Sequence, residues 1–256
     1  MLIAFIHNIQ TAENLLISAA ALAANLKMEF GVLCYAENES VADTKKEIIQ
    51  KTLFENQLED VRIYVRTDAE NELAGFCETV EASFLILQLS ENKKKIIQKY
   101  LNFCRELRIP YLFFKDEFSV LNLNKVMLPV GFLVEELEKA QFASAFGRFC
   151  SSQIFILLAN DYGSKAATNA EKMKLIFDKF SLNYSLEKAK ANSFKVEKEA
   201  VEKALREVYG IVIISASREY GLDDLLFGPK ELHLVKNSPV PLLIVNPRGD
   251  LYTLCD

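Results

Sequence analysis

The chain has 256 residues, half of them apolar and a quarter charged, with a formal net charge of −5. That length suggests about two domains. The acidic balance argues against a nucleic-acid protein, which would carry a basic face, and no apolar run approaches the ~18 residues of a membrane-crossing helix. Residues 1–6 lack a basic leader and read as an opening strand rather than a signal peptide. The cysteines (Cys34, Cys77, Cys104, Cys150 and Cys255) include no Cys-x-x-Cys pair. With no secretion signal they read as reduced thiols, a cytoplasmic pattern, and as small core residues, apart from Cys255 in an exposed tail.

The elements alternate between strand and helix. Strands are expected at 2–7, 30–35, 61–65, 83–89 and 111–114. Helices are expected at 11–28, 40–57 and 69–80, with a fourth capped by Ser90 and broken by Pro110. Thr11 is the expected cap of the first helix. A polar link at 122–124 follows, and then the pattern repeats. Strands are expected at 125–130, 154–158, 183–186, 211–214 and 242–245. Helices are expected at 140–150, 164–180 (capped by Ser164), 196–208 and 231–236. Ile211, Val212, Ile213 and Ile214 have no polar alternation, which marks a strand covered on both faces, as in a parallel sheet.

The two copies superimpose at slowly growing offsets. Ile3 falls on Met127, Leu33 on Leu157, Leu85 on Val212 and Pro110 on Pro241. The expectation is therefore an α/β chain of two tandem doubly wound domains, residues 1–121 and 122–256, each a five-stranded parallel sheet with helices on both faces. In such a sheet a ligand sits beyond the carboxyl ends of the strands. In the second copy the stretch from Ser215 to Gly228 occupies that place.

This order of elements, with Val126-Met127-Leu128-Pro129-Val130 opening the second copy, resembles the universal stress protein family in its tandem form. The closing runs Phe227-Gly228-Pro229-Lys230-Glu231-Leu232 and Pro239-Val240-Pro241-Leu242-Leu243-Ile244-Val245 carry the same likeness. The resemblance implies the strand order 3-2-1-4-5. It also implies, for members that bind ATP, an aspartate after strand one and a loop Gly-x2-Gly-x9-Gly-Ser/Thr after strand four. The aspartate position is His7 in the first copy and Gly131 in the second. With Gly228 as the third glycine, the first two fall on Ser215 and Arg218, and the Ser/Thr falls on Pro229. Arg218 puts a long side chain where the backbone should approach a phosphate. Pro229, expected at the first helical position, removes a helix-start amide donor. Glu219, Asp223 and Asp224 add negative charge nearby.

The resemblance thus implies a non-catalytic stress-response or regulatory protein with a degenerate nucleotide loop and no cofactor. The alternative is a binder of ATP or AMP through an altered pocket. The candidate ligand-binding residues are His7, Gly131, Ser215, Ser217, Arg218 and Gly228. The partners implied are a protein, or a second copy paired through strand five as a homodimer, or a small ligand. No enzyme chemistry is expected, because nucleophile elbow, Walker loop and dinucleotide fingerprint are all missing from the sequence. The His and Cys spacing suits no zinc site. His233 reads as a surface residue, Lys93-Lys94-Lys95 as a solvated helix start, and the pairs Glu135-Glu136 and Asp223-Asp224 as acids at helix starts.

Overall fold

The structure is a computed structural model and describes residues 1–68, 72–217 and 228–248. The chain divides into two compact units, Met1–Leu121 and Asn122–Asp256.

In the first unit the strands are β1 (Leu2–Ile6), β2 (Phe30–Tyr35), β3 (Val61–Arg66), β4 (Phe84–Leu89) and β5 (Tyr111–Lys115). They run parallel in the order β3-β2-β1-β4-β5. Its helices are α1 (Glu13–Leu26), α2 (Glu39–Glu55), α3 (Leu73–Thr79) and α4 (Lys94–Cys104). Every residue of β1, β2, β4 and β5 is buried. Because successive side chains point to opposite faces, those strands are covered on both sides.

In the second unit the strands are β6 (Lys125–Val130), β7 (Gln153–Leu158), β8 (Tyr184–Lys188), β9 (Ile211–Ser215) and β10 (Leu242–Val245). They are again parallel, in the order β8-β7-β6-β9-β10. The helices are α5 (Glu138–Phe149), α6 (Lys165–Lys179), α7 (Val196–Glu207) and α8 (Lys230–Asn237). α5 packs on α6 and α7 packs on α8. The edge strand β8 is mostly exposed and ends in Glu187-Lys188, charges that discourage pairing with another chain.

The backbone repeats as the sequence does. Left-handed residues close helical segments at Lys27 and Ser151, at Gln57 and Ser181, and at Glu81 and Val208. The closest backbone approach is at the foot of β9. The Gly210 N–H donates to the Lys125 carbonyl at 3.0 Å, and a Cβ there would lie 1.3 Å from the Asn122 carbonyl oxygen. Only glycine fits.

The helix starts differ from expectation. α1 begins at Glu13 with Ala12 as its cap. Thr11 lies instead in a 3-10 turn, Ile9–Thr11, that is capped by the Asn8 side chain, and its hydroxyl bonds Asp116. α4 begins at Lys94 and has no side-chain cap bond, so Ser90 is too early to serve. Ser164 does stand at the cap of α6, but its side chain makes no cap bond. Pro229 stands at the cap of α8, one residue before the first helical position. β8 extends to Lys188, two residues past the expected end.

Candidate functional site

The carboxyl ends of the central strands are where a ligand would sit, and the two units finish that edge differently. In the first unit β1 and β4 stay paired through Phe5↔Leu87. The next residue on β4 is Gln88, fully buried. Its Oε1 accepts from the His7 N–H at 2.7 Å and the Asn8 N–H at 2.9 Å. Its Nε2 donates to the Asn8 carbonyl at 2.9 Å, to Thr11 Oγ1 at 3.1 Å and to Asp116 Oδ1 at 2.9 Å. One neutral amide therefore stitches β4 to the chain leaving β1 and to the chain leaving β5. His7 is held against aromatic rings. Its ring stacks on Tyr100 at 4.7 Å and meets Phe5 edge-on at 4.3 Å, with Nδ1 3.2 Å from the Tyr100 hydroxyl.

In the second unit the pairing of β6 with β9 is limited to Val126↔Ile211 and Met127↔Val212, while β6 stays paired with β7 to its end. Pro129 explains the gap, because it has no N–H to give to a ladder. Its carbonyl instead accepts from Lys139 Nζ at 2.6 Å. Lys139 has no solvent exposure, and it also bonds the Glu136 carboxylate, which in turn accepts from the Gly131 N–H at 3.3 Å.

A second ion pair lies on the β9 side, between the buried Glu197 and the exposed Lys230. The Ser215 N–H donates to Glu197 Oε1 at 3.1 Å, and Lys230 Nζ donates to Glu197 Oε2 at 2.8 Å. The Ser217 N–H donates to Glu231 Oε1. Three strand-end amides, at Gly131, Ser215 and Ser217, thus point at carboxylates of the protein itself.

Among the described residues, the carboxylates of Glu136, Glu197 and Glu231 meet the ammonium groups of Lys139 and Lys230 in this corner. Burial opposes ionisation of Glu197, yet Lys230 and Lys139 overcome it and hold this carboxyl below its ordinary range. Glu231 is left over. It is almost fully buried, its Oε2 has no hydrogen-bond partner among the described residues, and burial pushes its carboxyl above the ordinary range against the pull of Lys230. The partition follows from desolvation, which favours the neutral form of whichever acid lacks a full partner.

The candidate residues fall as follows. Gly131 is buried and packs against Ser193, whose Oγ would lie 3.0 Å from a Cβ at that position. The Gly131 carbonyl accepts from Asn169 Nδ2 at 3.0 Å. Ser215 is buried, and its Oγ has no partner among the described residues. Gly228 is buried with φ 86°, a left-handed conformation that suits glycine. Gly131, Ser215, Ser217 and Gly228 belong to the second unit and His7 to the first. Arg218, with Glu219, Asp223 and Asp224, lies outside the described residues, as does Cys255. Cys34, Cys77 and Cys104 are buried, and burial lifts the Cys77 thiol to about 12. His233 is exposed.

Sequence reasoning missed the working part of this corner. Glu136 does lie at a helix start, in the 3-10 turn Val134–Leu137, but as a buried acceptor, and Lys139, Glu197 and Glu231 carry no motif. The available signal was position: charged residues spaced as the inward face of a helix. Also unforeseen is a cleft of about 480 Å³ on the same edge, with Phe132, Asp161 and Phe194 among its walls. Phe132 and Phe194 meet edge-on at 5.4 Å. Asp161 accepts from the Ser193 N–H at 2.9 Å and from its hydroxyl, and Ser193 Oγ accepts from the Phe132 N–H at 2.9 Å. Among the described residues no His, Cys, Asp or Glu cluster could hold a metal ion, and no helix is long and apolar enough to cross a membrane.

No family model matches the sequence, and no curated protein does. Solved structures do match in fold. A universal stress protein from Archaeoglobus fulgidus superimposes with a TM-score of 0.65 at 12% identity, covering 97% of both chains. A protein described as a candidate universal stress protein from Pseudomonas aeruginosa gives 0.65 at 12%, covering 96% of this chain and 93% of its own. The cytoplasmic domain of a prokaryotic cation chloride cotransporter gives 0.52 at 14%, covering 95% and 93%. This chain therefore has the fold found in universal stress proteins.

Proposed function

We propose that the chain is a non-catalytic regulatory protein of the universal stress type whose nucleotide corner is closed by its own carboxylates, so that ATP is not bound. One observation carries the reading. The amides of Gly131, Ser215 and Ser217, which point beyond β6 and β9, already donate to Glu136, Glu197 and Glu231. An incoming phosphate would have to displace these carboxylates and would meet their negative charge at short range. In this reading no cofactor is needed, and the protein acts in the cytoplasm through contacts with a protein, a second copy or a small ligand.

The test is direct. Protein purified natively and then denatured should release no adenine nucleotide by mass spectrometry, and calorimetric titration with ATP or AMP should give no micromolar binding. Released nucleotide, or micromolar affinity for either, would sink the proposal. It would favour the second reading, an adenine-nucleotide binder with an altered pocket. The observation on the side of that reading is the aromatic-walled cleft beside Phe132, whose volume is in the range of small-molecule sites.

A further inference from the structure

A groove of about 470 Å³ runs between α5 and α6 in the second unit, a volume in the range of small-molecule sites. Leu137, Ala145, Phe149, Ile176 and Phe180 give it an apolar wall, with Phe149 38% exposed and Phe180 40%. Two polar groups interrupt that wall on one face of α5. Ser144 is buried, and its hydroxyl has no hydrogen-bond partner among the described residues. A buried hydroxyl without a partner is costly. Arg148 stands one helical turn further on, and residues four apart share a face. Its guanidinium carbon lies 5.1 Å and 4.5 Å from the centres of the Phe149 and Phe180 rings, and it meets no carboxylate among the described residues.

The first unit shows that the fold does not require these groups. α1 and α5 are followed by left-handed residues at Lys27 and Ser151, and α2 and α6 by left-handed residues at Gln57 and Ser181. Those pairs fix the register between the helices of the two units. In that register Ala20, Ala24, Asn25, Thr52 and Asn56 stand where Ser144, Arg148, Phe149, Ile176 and Phe180 stand. Small and uncharged residues thus suffice at these places in α1 and α2. The second unit instead carries two aromatic rings, a cation and an unsatisfied buried hydroxyl.

We propose that this groove binds a small molecule made of one carboxylate and an apolar body. The carboxylate accepts from the Ser144 hydroxyl and from the planar fork of Arg148, which the two rings hold in place from its faces. The apolar body lies along Ala145, Ile176 and the rings. At the far end stands Glu138, about 9 Å along the helix from Ser144, with its carboxylate already accepting from the Arg248 N–H. A second negative charge on the ligand would be repelled there, so the site selects a monocarboxylate. The groove lies on helices rather than at the strand ends, and the inference stands whether or not the strand-end corner takes a nucleotide.

Decanoate is the probe. Calorimetric titration of the full chain should show one saturable site. Decylammonium, with the same body and the opposite charge, should bind about tenfold more weakly or worse. Arg148→Leu, at an exposed position, should weaken decanoate binding about tenfold. Ser144→Ala should also weaken it, yet its urea midpoint without ligand should be no lower than that of the parent, because the hydroxyl it removes has no partner to lose. Absence of saturable decanoate binding overturns the proposal. So does equal binding of decylammonium, or an Arg148→Leu variant that binds decanoate as the parent does. A lower midpoint for Ser144→Ala would show that the hydroxyl is already satisfied, and it overturns the proposal as well.

Discussion

The two units share a strand order but finish the same edge by different means, one around a buried amide and one around buried charges. In the first, β1 and β4 remain zipped, and the Gln88 amide fills the last gap. In the second, Pro129 stops the β6–β9 ladder early, and the space is filled by the buried Lys139–Glu136 pair, by Glu197 paired to the exposed Lys230, and by the buried Glu231. The Gln88 amide does not itself titrate, although one of its acceptors is the Asp116 carboxylate. A charged plug depends on every partner being present, because one lost partner leaves a buried charge uncompensated. The same fold thus has one robust corner and one conditional one.

The sharpest way to break this contrast is to remove Lys139. Lys139→Met strands Glu136 without its cation and should cost about 3–5 kcal/mol, read as a fall in the urea midpoint. Adding Glu136→Gln should recover most of that loss. If the single variant is as stable as the parent, the charged corner is not held together by this pair. Next in size is Gln88→Leu, which leaves the His7 and Asn8 amides without their acceptor. It should cost about 2–3 kcal/mol, read as a fall in the urea midpoint at neutral pH. An unchanged midpoint would show that the Gln88 amide does not hold that edge.

The smallest expected effect is the most diagnostic. Burial raises the Glu231 carboxyl in the folded state, so the folded chain holds that proton more tightly than the unfolded one. Stability from this group is present at acidic pH and declines as pH rises through the raised folded value. Glu197 has the opposite sign: it is depressed, so its contribution is present above the ordinary carboxylate range and lost as pH falls through the lowered folded value. Glu231→Gln should therefore flatten the decline on the alkaline side of the ordinary carboxylate range, leaving the acid-side loss in place. Denaturation midpoints across a pH series check this. An unchanged profile would mean that the surplus acid is solvated.

Much of the architecture could be read from the residues alone. All-apolar runs such as 211–214 can only be strands covered on two faces, and recurring helical periods between them leave few arrangements besides parallel crossovers. Helix starts were read less well. Thr11 and Ser90 look like caps, but Thr11 is drawn away by Asp116, a residue 105 positions along the chain, and α4 starts four residues beyond Ser90 without a side-chain cap. Local preference yields when a tertiary partner or a packing constraint fixes the backbone.

The candidate site divides along the same line. The sequence by itself determined that Pro229 lacks an amide hydrogen and Gly131 a side chain wherever they are placed, and on that the expectation of an altered phosphate loop rests. Only the tertiary structure decided what fills the space. Glu136 comes from a 3-10 turn, Val134–Leu137, and Lys139, Glu197 and Glu231 from three helices; they meet at two strand ends, and no local spacing announces that meeting. An ion pair exists through distance and desolvation, and both are properties of the folded chain.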